Sequence, residues 1–291
     1  MQESSQVTDL VPLEAETGHL AGGVFYRHWR PTVAVRGVIL LVHGLGEHSG
    51  RYQGFAEYFC PRGFALVAPD HPGHGKSPGQ RAHIDRFEDF LPPLDKLRAT
   101  IARWYPDQPC FLVGHSMGGL IAARYLLDHQ QQFAGAALSG AALAVAEKPS
   151  AVLLWINALL ARLWPTLGLM QLDATQISRD REVVQAYLDD PLVHDGKATA
   201  RLVSELFGSM AEVASRRASI TLPLLVMHGE QDAMTAAQGS REFHRAAGSA
   251  DKTLRVYPEL YHEIFNEPER LEVLGDLAQW LEQRVASREG V

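Results

Sequence analysis

The sequence has few of the features that mark disulfide-stabilised proteins. Only two of its 291 residues are cysteines, Cys60 and Cys110. Cys60 falls in a helix-like stretch and Cys110 begins an apolar run, so two buried thiols are favoured over a bridge. This cysteine usage is typical of a reducing compartment, and we therefore predict a cytoplasmic location.

Positive charge is also scarce. The chain has 27 Lys and Arg against 34 Asp and Glu, which gives a formal net charge of -7 and a pI of about 6.0. Since no basic patch is present, we expect no nucleic-acid partner. The first sixteen residues lack the basic and then apolar segments of a secretory signal, so none is expected. No cluster of metal ligands stands out, and we predict neither a metal nor a cofactor.

What the sequence does contain is a regular alternation of short apolar runs and helix-like segments. The apolar runs cover residues 37–44, 64–70, 110–116, 135–140, 222–229 and 253–258. They are continuous rather than alternating, which is typical of strands buried on both faces of a parallel sheet. Helix-like segments cover residues 50–63, 91–106, 119–130 and 268–285. This order predicts an α/β domain with a mostly parallel central sheet flanked by helices on both faces.

The alternation stops between residues 141 and 219, where the sequence predicts helices without strands. A helical insertion in an α/β sheet is typical of a cap over a site at the carboxyl ends of the strands. We therefore predict three segments. A first part of the core covers residues 1–140, a helical cap covers 141–219, and a second part of the core covers 220–291.

The segment from Gly114 to Gly118 reads GHSMG and joins a predicted strand to a predicted helix. In a G-x-S-x-G turn of this kind, the serine is held in a strained conformation that exposes its hydroxyl above the sheet. The flanking glycines leave room for the turn, and the positive end of the following helix points at the site. A glycine-rich turn without function is the alternative, but the strand and helix around it favour Ser116 as a nucleophile.

A serine hydroxyl needs a base, and 13 histidines leave the choice open on composition alone. In hydrolases with this turn, the order along the chain is serine, acid, histidine. Asp232 and His262 each follow a predicted strand, so both should emerge at the same sheet edge as Ser116. We predict Asp232 as the acid and His262 as the base. The lower-ranked alternatives are Glu230 as the acid, and His228 and His244 as the base.

The oxyanion of a tetrahedral intermediate needs backbone N–H donors. One is expected from the residue after the nucleophile, Met117, and the other from the loop after an early strand. That loop, residues 43–52, reads HGLGEHSGRY, and Leu45 lies between two glycines that let its N–H turn inward. We predict Leu45 and Met117 as the two donors. Each such donor is typically worth about 2.7–4 kcal/mol of transition-state stabilisation.

Four segments together resemble the monoacylglycerol lipases of the serine α/β-hydrolases, which are sometimes called lysophospholipases. They are HGLGEHSGRY, PDHPGHGKSPGQR, GHSMGG and DKTLRVYPELYHE. The resemblance extends from about residue 25 to about residue 280 and includes AYLDDPLV in the predicted cap. It implies an α/β-hydrolase fold with a helical cap, a triad of Ser116, Asp232 and His262, and oxyanion donors at Leu45 and Met117.

The resemblance also implies a function, the hydrolysis of monoacylglycerols to glycerol and a free fatty acid through an acyl-enzyme. Glu47 and Arg51 match positions that order the oxyanion loop and the glycerol end of the pocket, and Tyr187 of AYLDDPLV is expected to bind substrate. Where several family members have a second histidine, three residues after the catalytic one, this chain has Phe265. A lysophospholipase or a general carboxylesterase would share the core. A non-catalytic ligand-binding homologue is an alternative from another class.

A nearly apolar stretch covers residues 151–170 of the predicted cap. A membrane-spanning helix here would separate the serine of the predicted triad from its acid and base, so we exclude it. We predict lid helices with an outer face that contacts lipid and an inner face that lines an acyl channel. The residues predicted to line the channel are Leu153, Ile156, Leu159 and Leu160. The predicted partner is therefore a monoacylglycerol, with transient contact to a membrane surface.

Overall fold

The structure, a computed structural model, describes residues 13–145 and 149–289. The polar segment 1–12, which bears on the predicted absence of a secretory signal, lies outside the described residues. The elements follow one another in the order β1 (Glu16–His19), β2 (Phe25–Trp29), β3 (Gly37–Val42), α1 (Gln53–Phe59), β4 (Phe64–Pro69), α2 (Leu91–Trp104), β5 (Cys110–His115), α3 (Met117–His129), β6 (Gly135–Ser139), α4 (Ala151–Leu163), β7 (Gly168–Met170), α5 (Arg181–Asp189), β8 (Ala198–Thr199), α6 (Ala200–Arg216), β9 (Leu224–Gly229), α7 (Ala237–Ala246), β10 (Lys252–Tyr257) and α8 (Arg270–Glu289).

Eight of these strands form the central sheet, in the order β1-β2-β4-β3-β5-β6-β9-β10. Strand β2 runs antiparallel to β1 and to β4, and the other neighbouring pairs are parallel. The six predicted strands are β3, β4, β5, β6, β9 and β10, which confirms the mostly parallel sheet. Because these strands are parallel, the loops after β3, β5, β9 and β10 all leave from one edge. The sequence analysis did not predict the two strands at the β1 edge.

The sheet is buried on both faces, and the residues of β3 show why its sequence is continuously apolar. Val38, Leu40 and Val42 point into a core formed with α2 and α3. Ile39 and Leu41 point into a second core formed with α1 and α8. Each of these side chains therefore loses its contact with water, which is the main favourable term in folding. Both cysteine thiols are free and buried, as predicted.

The predicted cap contains helices α4, α5 and α6 between β6 and β9. Helix α6 packs against both α4 and the core helix α3. The prediction of helices without strands is wrong in one respect, because β7 and β8 form a short antiparallel pair. Strands of three and two residues are too short to produce a readable sequence pattern. Among the helices that the structure describes, none combines the length and the apolar character of a membrane span.

A group of buried histidines connects the loops after β3 and β4. The backbone N–H of His71 donates to Nε2 of His43 over 2.9 Å, so the His43 proton is on Nδ1, which lies 2.8 Å from the Gly44 carbonyl oxygen. Nε2 of His71 lies 3.0 Å from the His43 carbonyl oxygen. Burial lowers the pKa of His71 to about 3 and that of His74 to about 4, and it also lowers the pKa of His43. The three imidazoles are therefore neutral at neutral pH.

These lowered pKa values predict a loss of stability in mild acid. Below about pH 6.5 the unfolded chain binds protons on these histidines, whereas the folded protein binds them only as the pH approaches the lowered values. The free energy of unfolding should therefore decrease as the pH falls from about 6.5 towards 4, by up to about 1.4 kcal/mol per pH unit for each histidine. Urea unfolding at several pH values in this range measures the slope.

A pair of variants tests whether the buried group causes the slope. His71→Gln removes one buried imidazole, and His19→Gln removes one that is exposed on β1. We expect His71→Gln to reduce both the stability and the slope, and His19→Gln to keep the slope of the unmodified protein. A slope that is the same in all three proteins would contradict this explanation.

Candidate active site

Ser116 occupies the turn between β5 and α3 in a strained conformation. Its φ of 55° and ψ of -122° lie in a region that residues other than glycine rarely adopt. A Cβ atom on Gly118 would collide with the carbonyl oxygens of Val42 and His43, and one on Gly114 would collide with the Gly118 backbone. The glycines of the GHSMG turn are therefore needed for close backbone packing, and the turn places the serine hydroxyl at the sheet edge, in the wall of a cavity.

The structure brings together the three residues that were predicted as a triad. Nε2 of His262 lies 2.8 Å from Oγ of Ser116, and Nδ1 of His262 lies 2.7 Å from Oδ2 of Asp232. All three residues are buried, and they follow β5, β9 and β10. The alternative acid, Glu230, is exposed and pairs instead with Arg241.

Asp232 is surrounded by hydrogen-bond donors. Its Oδ1 accepts the backbone N–H groups of Met234 and Thr235 over 2.8 and 2.9 Å. Nε2 of His228 lies 3.1 Å from Oδ2, and Nδ1 of the same ring lies 2.7 Å from Oγ of Ser240. Burial opposes ionisation, but His262 and His228 outweigh it and hold the pKa of Asp232 well below its usual range. His228, which was ranked as an alternative base, contacts the acid instead.

The pairing with Asp232 also defines the state of His262. Burial by itself would lower the pKa of this histidine, but the charge and hydrogen bond of Asp232 outweigh burial and raise the pKa. A proton on Nδ1 faces the carboxylate, which leaves Nε2 free to accept the proton of the Ser116 hydroxyl. The arrangement can therefore activate a serine for attack on a carbonyl carbon.

Leu45 and Met117, the predicted oxyanion donors, line one cavity together with Ser116. Met117 is the first residue of α3, so its N–H has no acceptor within the helix. Leu45 precedes Gly46, whose φ of 77° allows the chain to turn sharply. Glu47 fixes the start of this loop, because its Oε1 accepts the Gly44 N–H over 2.5 Å.

Glu47 and Arg51 belong to a polar cluster on the other side of Ser116. Nη1 and Nη2 of Arg51 donate to the two carboxylate oxygens of Glu263 over 2.6 and 2.8 Å, and Nη1 lies 3.1 Å from Oε2 of Glu47. The guanidinium carbon of Arg51 lies 4.7 Å from the ring centre of Tyr187. Glu47, Tyr187 and Glu263 line a small cavity with Ser116 and His262, and Arg51 is not part of its lining. The wall also includes the apolar side chains of Leu45, Leu172, Ile177 and Met234.

Glu263 was not among the residues predicted from the sequence, although it directly follows His262 in the chain. Burial opposes its ionisation, but the charge of Arg51 and its hydrogen bonds outweigh burial and lower the pKa of Glu263. For Glu47 the balance differs, since burial raises its pKa and Arg51 compensates only in part. Arg51 is therefore paired chiefly with Glu263.

An apolar cavity extends from Ser116 beneath the cap. Much of its wall comes from flexible or large apolar side chains. These are Met117, Met170, Val203, Phe207, Met210 and Met234. Methionine fills irregular space and adapts its shape, so this cavity suits an apolar chain better than a rigid ligand.

The prediction that α4 lines an acyl channel is wrong. Leu153, Ile156 and Leu159 are 55%, 40% and 41% exposed, and neither they nor Leu160 lie in the wall of this cavity. The buried residues of α4 are Asn157 and Ala161, and the helix packs against α6. Because α6 lies between α4 and the core, α6 supplies the cavity wall and α4 faces outward.

Known proteins resemble the chain over most of its length. A family model described as serine aminopeptidase, S33 (Hydrolase_4) matches residues 33–269. The chain is 40% identical over 262 residues to a monoacylglycerol lipase of Mycolicibacterium smegmatis, which covers 89% of this chain and 94% of the relative. It is 32% identical over 267 residues to the monoglyceride lipase of Homo sapiens, which covers 91% of this chain and 88% of that protein.

A solved structure supports the same relationship. The crystal structure of Paleococcus ferrophilus monoacylglycerol lipase superposes with a TM-score of 0.82 at 34% sequence identity, and covers 90% of this chain and 99% of that chain. This similarity confirms the predicted α/β-hydrolase fold and the predicted resemblance. The chain therefore belongs to the Hydrolase_4 family, described as serine aminopeptidase, S33, and within it is similar to the monoacylglycerol lipases.

Proposed function

We propose that this protein hydrolyses the ester bond of monoacylglycerols and releases glycerol and a free fatty acid. The observation that carries the proposal is the hydrogen-bonded series Ser116, His262 and Asp232 beside an apolar cavity and a smaller cavity that contains two carboxyl groups. The relatives named as monoacylglycerol or monoglyceride lipases support the same substrate. A lysophospholipase and a general carboxylesterase are the alternative functions.

The reaction begins when Oγ of Ser116 attacks the ester carbonyl and His262 accepts the hydroxyl proton on Nε2. Asp232 stabilises the imidazolium, and the N–H groups of Leu45 and Met117 donate to the oxyanion. Collapse of the intermediate breaks the ester bond, and glycerol leaves with the proton from His262. Water then loses a proton to His262, attacks the acyl-enzyme, and releases the fatty acid with regeneration of Ser116.

We infer that each of the two cavities holds one end of the substrate. The acyl chain would occupy the apolar cavity beneath the cap, and the glycerol would face Glu47, Tyr187 and Glu263 in the smaller one. One apolar cavity beside Ser116 accommodates one acyl chain, which favours monoacylglycerols over di- and triacylglycerols.

The outer face of the cap provides a route to lipid. Several large apolar side chains of α4 and the turn after it are exposed, among them Val152, Leu153, Trp155, Leu163 and Trp164. Exposed large apolar side chains close together on one helix are typical of an interaction surface, and tryptophan is favoured at the boundary between lipid and water. The cap would therefore dock transiently on a membrane from the cytoplasm and receive substrate there.

The first prediction for this function concerns the triad. Ser116→Ala should abolish the hydrolysis of a p-nitrophenyl ester without unfolding the protein, because only the attacking oxygen is removed. Asp232→Asn should lower kcat by about ten-thousand-fold, the loss measured when a serine protease triad loses its carboxylate. Steady-state kinetics and thermal unfolding test both variants. Near-normal turnover in Ser116→Ala would contradict the proposed function.

The second prediction concerns the acyl chain. In a series of monomeric esters, kcat/KM should increase about fourfold per added methylene until the cavity is full, since each buried methylene contributes about 0.8 kcal/mol. Met210→Trp fills part of the cavity and should shift the optimum to shorter chains. Leu159→Trp on the exposed face of α4 is the matched control and should not. If Leu159→Trp shifts the optimum and Met210→Trp does not, the acyl chain lies along α4 instead.

The third prediction concerns the outer face of α4. Replacing Leu153 and Trp155 by Asp should weaken binding to phospholipid vesicles, because charged side chains do not partition into the membrane interface. Hydrolysis of a soluble short-chain ester should be unchanged. Leu271→Asp, which alters an exposed leucine of α8, is the control. If the double variant at Leu153 and Trp155 and the control Leu271→Asp both bind vesicles as the unmodified protein does, the cap does not dock on lipid through this face.

A further inference from the structure

We propose that Glu263 determines which headgroup the site accepts. By holding Arg51 in an internal ion pair, Glu263 leaves two carboxyl groups but no guanidinium in the cavity wall, and the site therefore accepts an uncharged glycerol and rejects a glycerol carrying a phosphate. This inference rests on the proposed hydrolysis of monoacylglycerols.

The geometry leaves Arg51 with little capacity to bind an anionic ligand. Both terminal nitrogens of its guanidinium donate to Glu263, and Nη1 also lies within hydrogen-bond distance of Glu47. The ring of Tyr187 lies against the guanidinium group. Nδ2 of Asn266 donates to Oε2 of Glu263 over 2.8 Å and holds that carboxylate in place. These contacts engage both terminal nitrogens of the guanidinium, whose fork would otherwise recognise a phosphate.

The composition of the cavity wall also disfavours an anionic ligand. Glu47 and Glu263 both line the smaller cavity beside Ser116, whereas Arg51 is not part of its lining. Hydroxyl groups of glycerol can donate hydrogen bonds to carboxylate oxygens. A phosphate monoester carries about -1.5 to -2 charges at neutral pH, so it is repelled by a carboxylate and would lose its hydration beside one. The wall therefore favours an uncharged leaving group.

Neutralising Glu263 should reverse this preference in part. In the variant Glu263→Gln, the uncharged amide could not form two charged hydrogen bonds to the guanidinium, which stays protonated at any accessible pH. The positive charge of Arg51 would then be compensated only by Glu47, whose pKa is raised by burial. A phosphate at the position of the glycerol end would gain a cation within reach and lose a repulsive neighbour.

The experiment compares two substrates that differ in one group, a monoacylglycerol and the same lipid with a phosphate on its free primary hydroxyl. Their kcat/KM values are measured below the micellar concentration with the unmodified protein and with Glu263→Gln, Glu263→Asp and Glu269→Gln. Glu269 pairs with Arg179 at the surface near the same loop and is the matched control. Glu263→Asp keeps the charge and tests whether charge or shape is responsible.

We expect the unmodified protein to prefer the uncharged lipid by about 100-fold, since like charges in a site cost several kcal/mol. Glu263→Gln should narrow this ratio by about tenfold or more, while Glu263→Asp and Glu269→Gln keep most of it. An unchanged ratio in Glu263→Gln, or an unmodified protein that does not discriminate, would overturn the proposal.

Two further outcomes separate this inference from the proposed function. If the unmodified protein cleaves neither lipid, the proposed function fails, whatever the variants do. If Glu263→Gln does not fold, Glu47→Gln removes the other carboxyl group of the wall and keeps the ion pair between Arg51 and Glu263. That variant should also narrow the ratio, and an unchanged ratio would overturn the proposal.

Discussion

The arrangement of the site depends on one close backbone contact, between the start of α3 and the end of β3. Gly118 packs against the carbonyl oxygens of Val42 and His43 so closely that no Cβ atom would fit. This contact forces the strained conformation of Ser116 and brings its hydroxyl into the same cavity as the loop that contains Leu45. Strain at a reactive residue persists only where packing over-determines it, and here two buried sheet faces do so.

Around this turn, buried charge is compensated locally rather than by solvent. Asp232 is stabilised by two backbone N–H groups and two imidazoles, and Glu263 is stabilised by the forked donors of Arg51. Removing the partners of Asp232 or of Glu263 would leave an unpaired charge in a region of low dielectric, which is strongly unfavourable. The two groups meet at the consecutive residues His262 and Glu263. One short loop after β10 therefore carries both the base and the carboxylate that pairs with Arg51.

The cap divides its apolar residues between two surfaces. Helix α6 contacts both α3 and α4, and residues such as Val203 and Phe207 close the cavity over Ser116. Helix α4 lies outside α6 and exposes Leu153 and Trp155. In the proposed function, one surface would hold the acyl chain and the other would face the lipid from which it comes. Helix α4 can therefore be apolar on its exposed side as well, because in the proposed function that side contacts lipid.

The sequence by itself determined the parallel part of the sheet and the order of Ser116, Asp232 and His262, because burial on both faces and a glycine-framed turn leave local patterns. Tertiary structure alone decided the edge strands β1 and β2, since β1 is largely polar and exposed and has no apolar run. It also decided which cap helix lines the cavity. The sequence of a helix that is apolar on nearly all sides does not show which side faces the core. The pairing of Glu263 with Arg51 joins residues 212 positions apart. No local sequence pattern predicts such a pair, because the two residues come together only when the loops after parallel strands lie at the same edge of the sheet.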